Sequence, residues 1–567
     1  MRSTRYTGRC LACLLFLFFV IAPDTPAAPG RLNPDFGTGG KVTTDFGASD
    51  RCLATAPTPL GEKFLLVGYS GGNFALALYH PDGSLDSAFG SGGKVVTDFS
   101  GFDTATCAAV RPPGVAISDP AIIIVAGFSL NGSVYDFALA RYDPVNGSLF
   151  SGFGTGGKVV TDFGGLDIAH DVAFQNDGKI VVAGYTNVNG STNEDFALAR
   201  YTTAGVLDSS FGSGGKLVSV LSGIDDRCNA IAITSDRRIL AGGSSDRNFV
   251  IVRYLENGAL DSSFGISGKS IVPFPGPGSS RCEAVIFLPG GKVLAAGEAF
   301  DAMVLARFNE DGSLDGTFGG GDGTVVLNET ASLNSVTAIT MQADGKFLVS
   351  GRIQPDENLD LYDMGIMRFK SDGSLDQTFG SGGRVSIDFG GVTELASGML
   401  LRADGTISVG GLTDAGSTGD FAVASLETAQ GDVRLGTRGT VPVGNDRYNL
   451  SGAGQQLPLA IGRGGGTKSA FTGVENDGAS FDTFKIRGAR GNSKFTVRYF
   501  AGRVNVTASM RAGRHTAELD SGSTVRLKTT LTAKTSRARQ VVSIPIRSSS
   551  ANDPGAEDLA RIKARSN

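Results

Sequence analysis

Six cysteines, three histidines and a scatter of loop carboxylates are the residues of this 567-residue chain that could do chemistry. Cys10 and Cys13 fall in an amino-terminal leader, which leaves Cys52, Cys107, Cys228 and Cys282. Cys52, Cys228 and Cys282 hold the same place in an internal repeat. Cys107 stands two residues further on, which along a strand keeps the same face. In an oxidising compartment such a set forms disulfides, and adjacency of the repeats predicts the links Cys52 to Cys107 and Cys228 to Cys282. Buried free thiols and a metal site are the alternatives. His80, His170 and His515 are the only histidines and there is no Trp. This poverty of acid–base and metal-binding material argues against an enzyme, so no catalytic, cofactor-binding or metal-ligating residue is assigned and no cofactor is expected.

Other candidates have a plainer reading. Asp167, Asp171, Asp225 and Asp226 gather in loops. Asn309-Glu310-Asp311-Gly312 invites calcium, but an EF-hand needs Gly at loop position 6 and a bidentate Glu at 12. Here the Gly comes too early, and the Asp-Gly pair recurs as a turn. The Gly-Gly-Lys segments lack the spacing of a phosphate-binding loop and lead into strands instead of helices.

The elements that must position these residues are written as a repeat. A Phe-Gly pair recurs at Phe36, Phe89, Phe153, Phe211, Phe264, Phe318 and Phe379, 53 to 64 residues apart. A period of this size signals a repeat architecture. The clearest unit reads as four strands, Lys158 to Phe163, Ala169 to Gln175, Lys179 to Tyr185 and Asp195 to Tyr201, with the hairpin turn Asn176-Asp177-Gly178 between the second and third. Seven sets of four short antiparallel strands predict an all-β fold, a seven-bladed β-propeller. The array opens on a lone strand, Lys41 to Phe46, and ends at Leu426 without a partner. The ring is therefore expected to close by pairing Lys41 to Phe46 beside Phe421 to Leu426, which removes the open edges. The recurring Phe reads as a wedge between blades.

These motifs resemble the delta-60 repeat of bacterial exported proteins, with the pattern Gly-x-Leu-Asp-x-x-Phe-Gly-x-Gly-Gly-Lys-Val, then Asp-Gly-Lys-Ile-Val-Val-Ala-Gly, then Phe-Ala-Leu-Ala-Arg-Tyr. Val206 to Val218, Asp177 to Gly184 and Phe196 to Tyr201 carry the match, with their cognates across residues 32 to 426. The resemblance implies a seven-bladed propeller in an exported or cell-surface setting, and brings no catalytic residues. Within the repeat, Arg141, Arg200, Arg253, Arg307 and Arg368 end the fourth strand, while Asp86, Asp208, Asp261, Asp315 and Asp376 mark the following turn. Arg141 precedes Phe150, and Leu78 precedes Asp86, so the losses do not coincide. Separate turn and surface features are expected, not an ion-pair ladder.

The two ends differ from the body. Arg2, Arg5 and Arg9, the apolar run from Leu11 to Ala22 and small residues up to Ala27 and Ala28 have the order of a secretory signal peptide, residues 1–28, cleaved near Ala27 or Ala28. The run is short for a span of ~20 residues, so a secreted, periplasmic or cell-surface protein without a transmembrane segment is expected. Residues 29–427 form the propeller and 428–440 a linker. Residues 441–550 read as an Ig-like β-sandwich of short alternating strands, and 551–567 as a polar tail. Residues 432–567 hold 22 Lys+Arg against 10 Asp+Glu, while the rest holds 29 against 46. A basic end of this kind suits an anionic surface.

The expected function is a non-enzymatic exported binding or scaffold protein, monomeric, with a protein or glycan ligand and no nucleic acid. The other reading is a propeller enzyme acting on extracellular polysaccharide through loop carboxylates. The loops between third and fourth strands, such as Thr186 to Glu194 and Ile353 to Tyr362, are where a ligand is sought, because they vary most in length.

Overall fold

The computed structural model describes residues 29–427 apart from the loop segments 59–62, 112–120, 189–192, 222–224, 275, 277, 301, 328–332, 343, 356–360, 403–404 and 416–418, and beyond 430 the backbone of ten strands. The expected signal peptide, 1–28, lies outside the described residues.

Seven four-stranded antiparallel sheets are the blades. Blade 3 shows the plan, running outward from the axis through Asp167–Phe174, Ile180–Thr186, Asp195–Tyr201 and Lys216–Ser219. The second and third strands are buried on both faces, because neighbouring blades cover both. This is why Ile-Val-Val-Ala-Gly and Phe-Ala-Leu-Ala are continuous apolar runs and not alternating ones. The inner strands of blades 1 to 7 are Asp50–Pro57, Asp103–Arg111, Asp167–Phe174, Arg227–Ile233, Ser280–Phe287, Leu333–Met341 and Glu394–Leu401. The ring closes as expected. Lys41–Thr44 is the outer strand of blade 7, paired Lys41 to Ala424 and Thr44 to Phe421.

Among the described residues, the buried apolar side chains fall into seven clusters, each shared by two adjacent blades. Each holds one of the recurring phenylalanines, all fully buried, so the wedge reading holds. The glycine after each wedge ties one blade to the next by the same backbone bond. Gly90 donates to Asn146 O and Gly212 to Asn257 O, and Gly380 completes the ring by donating to Pro29 O. The Gly-Gly-Lys lysines are clasps too: Lys94, Lys158 and Lys216 reach back to the carbonyls of Asp45, Asp98 and Asp162 while lying over Phe46, Phe99 and Phe163.

Every inner strand carries a β-bulge at the same step, with Leu53, Thr106, His170, Asn229, Glu283, Thr337 and Ser397 as the extra residues. The strand beside it must approach closely there. A Cβ on Gly184 would lie 1.9 Å from Ile168 O, and one on Gly68 1.8 Å from Arg51 O.

The bulge overturns the predicted disulfides Cys52–Cys107 and Cys228–Cys282: all four thiols are free and buried. Cys52 precedes its bulge, as Ala105 does in blade 2, whereas Cys107 follows one. The extra residue reverses the facing that a two-residue step would keep. Cys52 therefore packs between blades 7 and 1, and Cys107 between blades 2 and 3. Cys228 and Cys282 share a facing, but lie on opposite sides of blade 4, in the cores it makes with blades 3 and 5. The blade 4 sheet lies between the Cys228 and Cys282 thiols, and blades 1 and 2 lie between those of Cys52 and Cys107; cysteines whose Cβ atoms point apart in this way cannot be bridged.

Beyond residue 430, ten strands form two five-stranded sheets. One contains Gly431–Gly436, in the stretch expected to be linker. The other contains Glu557–Ser566, in the stretch expected to be tail, paired with Gln540–Ser550 and in parallel with Gln456–Ile461. No helix among the described residues is long and apolar enough to cross a membrane.

Candidate functional site

The seven bulge residues ring the axis, and with their neighbours line a central cavity of about 680 Å³. Three of them brace the ring by donating to the carbonyl just before the next blade's bulge. Thr106 Oγ1 reaches Ala169 O at 2.8 Å, Asn229 Nδ2 reaches Cys282 O at 2.9 Å and Ser397 Oγ reaches Cys52 O at 2.8 Å. Two of the other four bring chemistry to the cavity. His170 and Glu283 are bulge residues, and Asp171 follows His170.

Enclosure sets their protonation. Burial, helped by the charge of Arg227, lowers His170 to about 4, so its imidazole is neutral. Burial raises Asp171 to about 6 against the amides of Ile231 and Val172, both 2.8 Å from its carboxylate. Burial raises Glu283 to about 7, with Arg281 opposing the rise and Glu298 adding to it. Two carboxyl groups raised toward neutral pH and an imidazole that stays neutral there thus face one cavity.

The mouth of the cavity lies where the inner strands begin, on the face named from loop variability. Its two sides differ. Across blades 1 to 3 it is aromatic: Tyr69 and Phe102 lie 6.1 Å apart, Phe128 and Tyr135 5.1 Å, and Tyr185 stacks on His170 at 5.5 Å. Phe102 is 45% exposed. Across blades 4 and 5 it is ionic, with Arg227 on Glu194 and over the Tyr185 ring, and Arg281 between Glu283 and Glu298. The loops Thr186 to Glu194 and Ile353 to Tyr362 are described only at their ends. There Glu194 holds Arg227, and Tyr362 receives Arg352 at 4.3 Å from its ring.

The other sequence candidates are structural. Asp226 caps the Leu221 amide at 2.7 Å. In Asn309-Glu310-Asp311-Gly312, Asp311 accepts from Ser313 and its carbonyl accepts from Gly265, so the turn serves the blade junction. The Arg and Asp expected to be separate are in fact partners: Arg200, Arg253, Arg307 and Arg368 donate from Nε to Asp208, Asp261, Asp315 and Asp376 at 2.6 to 2.8 Å. Glu283 went unnoticed in the sequence. Its position directly after Cys282, aligned with His170 in the repeat, was the available signal.

These features define a seven-bladed β-propeller with a cavity on its axis. Residues 122–153, 175–211, 234–264, 288–318 and 342–379 match the family described as "Domain of unknown function (DUF5122) beta-propeller". Each matched segment ends on a wedge phenylalanine. No curated protein matches the chain. Similar solved structures include the Dos1 propeller, at 9% identity and TM-score 0.37, covering 70% of this chain and 94% of that one. YCF48 bound to a D1 peptide is similar at 9% identity and TM-score 0.35, covering 71% and 99%. A protein from Lactobacillus plantarum is similar at 11% and 0.37, covering 65% and 95%.

Proposed function

We propose that this protein is an exported, non-enzymatic binding scaffold of the delta-60 type, which takes a glycan or protein ligand on the aromatic side of its cavity mouth. A C-terminal Ig-like sandwich, basic in composition, completes the reading and suits an anionic surface. One observation carries the proposal: Tyr69, Phe102, Phe128, Tyr135 and Tyr185 gather on three adjacent blades of a rigid ring, with Phe102 open to solvent. Such rings offer apolar faces for stacking and, in tyrosine, a polar handle. They supply an aromatic platform in a chain without Trp. Glycan and peptide arrays probed with the mature chain, and then with the Tyr69→Ala/Phe102→Ala variant, test the reading. Binding that weakens tenfold or more in the variant supports it. No binding by the parent, or equal binding by both, removes it.

A second reading rests on Asp171 and Glu283 sharing the cavity. Two carboxyl groups in one cavity can act as acid and base on a glycosidic bond. Reducing-sugar release from extracellular polysaccharides that is abolished in Glu283→Gln would favour it. Its absence leaves the binding reading in place.

A further inference from the structure

The junctions between blades hold a second repeated constellation, away from the axial cavity. At three junctions, three carboxylates converge with ligand oxygens within 4.8 Å of one another: Asp45, Asp50 and Asp420; Asp136, Asp162 and Asp167; Asp363, Asp388 and Glu394. The construction is the same each time. One acid follows the outer strand and is exposed, one opens the next blade's inner strand and is buried, and one opens the third strand or, as Asp136 in Val134–Tyr142, lies near its start.

Clustered acids alone would be ordinary surface charge. Here each cluster also contains a carboxylate oxygen that is buried and has no partner: Asp50 Oδ1, Asp136 Oδ1 and Glu394 Oε2. These residues are 2%, 1% and 0% exposed. Their second oxygens are used, by the Phe46 amide, by Asn131 Nδ2, and by the Gly391 amide with Thr413 Oγ1. Burying a carboxylate oxygen without a hydrogen bond is unfavourable as a rule. Among the described residues, no Lys, Arg or His lies within salt-bridge reach of any of the nine carboxylates. The nearby Lys94, Lys216 and Lys41 bind the backbone carbonyls of Asp45, Asp162 and Asp388 instead.

The repeat supplies its own comparison. At the junction of blades 4 and 5 the three places are held by Asn248, Pro273 and Ser280, and no acid survives. There Ser280 Oγ accepts the Phe249 amide, so the fold manages without the carboxylates. Between blades 3 and 4, Val220 replaces the exposed acid and only two remain.

We propose that these three junctions are divalent-cation sites suited to calcium. Calcium takes six to eight oxygen ligands at about 2.3–2.6 Å, so two of its ligands stand at most about 5 Å apart. The three carboxylates fit within that span, the exposed acid leaves room for water ligands, and a cation would satisfy each stranded oxygen. It would also tie the outer strand of one blade to the inner strand of the next, at the closing blade among others.

Calcium titration of the full mature chain by calorimetry, with thermal melts in calcium and in chelator, tests this against the Asp45→Asn/Asp162→Asn/Asp388→Asn variant. The exposed acids are chosen because Asn keeps the Oδ1 that caps Gly47, Gly164 and Gly390. The expected result is three ions per chain at about millimolar calcium or below, a higher Tm with calcium than with chelator, and loss of both in the variant, whose Tm in chelator equals the parent's. No calcium binding by the parent, or undiminished binding by the variant, would overturn the proposal.

Discussion

Arg200 Nε lies 2.8 Å from Asp208 Oδ2, although the guanidinium ends the third strand of its blade and the carboxylate belongs to the turn that follows. Arg200 is 1% exposed. Its remaining donors reach Ser210 and the Glu256 carbonyl of the next blade, and its plane covers the wedge Phe211 at 4.9 Å. One side chain thus gathers Leu-Asp-x-x-Phe-Gly into a clasp. Where Phe150 stands in place of the Asp, Arg141 stacks on it at 3.9 Å; where Leu78 stands in place of the Arg, Asp86 keeps Lys63 at 2.7 Å, from the same place that Lys179, Lys292 and Lys346 reach the Asp in other blades.

The clasp predicts a graded response. Asp208→Ala strands a buried guanidinium and should cost about 3 kcal/mol. Asp208→Phe, which copies the third repeat, should cost less. Denaturant melts of the two variants measure the order, and equal losses would refute the compensation.

The same pair predicts acid sensitivity. Burial would raise the Asp208 carboxyl, but hydrogen bonds from Ser210 and Lys179 and the charge of Arg200 hold it well below the usual range. A depressed folded pKa contributes stability above the unfolded value of about 4, and that contribution is lost as pH falls. Stability curves of the parent should therefore drop below about pH 4, more steeply than those of Asp208→Asn.

Glu283 works in the opposite sense. Its folded value of about 7 exceeds the unfolded one, so its contribution is complete below about pH 4 and is lost as pH rises toward 7. Over that interval the loss is about 2 to 3 kcal/mol. Glu283→Gln should flatten the Tm profile between pH 4.5 and 7.5, and an unchanged slope would place the titration elsewhere.

The four thiols should behave as core atoms. Folded protein should resist a thiol reagent, denatured protein should react at all four sites, and reductant should leave Tm unchanged. A reductant-dependent Tm would contradict the separate cores.

Gly184→Ala tests the bulge. Its new Cβ would meet the Ile168 carbonyl at 1.9 Å, which no rotamer relieves because the obstacle is backbone. A loss of several kcal/mol is expected, beyond the ~1 kcal/mol scale of an ordinary Gly-to-Ala change. Gly156→Ala, with nothing within 4 Å, isolates the backbone strain of positive φ from the clash.

The propeller was legible in the sequence because its signals are local and repeated: turn glycines, apolar runs and the unmatched strand at Lys41. The bulge was not. Its place is filled by seven residues that share no chemistry with one another as a set, from Leu53 to Glu283, since a side chain turned into the cavity is not constrained by packing. Missing that one inserted residue reversed the facing of Cys107. The arginine clasp was hidden for a different reason. Reading Arg and Asp columns separately made Phe150 and Leu78 look like failures of pairing, whereas Phe150 stacks on Arg141 and Asp86 keeps the lysine that other blades also set against the Asp, contacts that only spatial neighbours reveal.

The strand Lys41–Thr44 emerges early in synthesis, yet its partner Asp420–Leu426 comes more than 370 residues later. Among the described strands, the first one made finds its partner only once the last blade has been made. Until then the seventh sheet has three strands and a bare edge, so a chain interrupted anywhere before residue 420 cannot shut. Completion of the circle therefore requires that translation has reached the last blade.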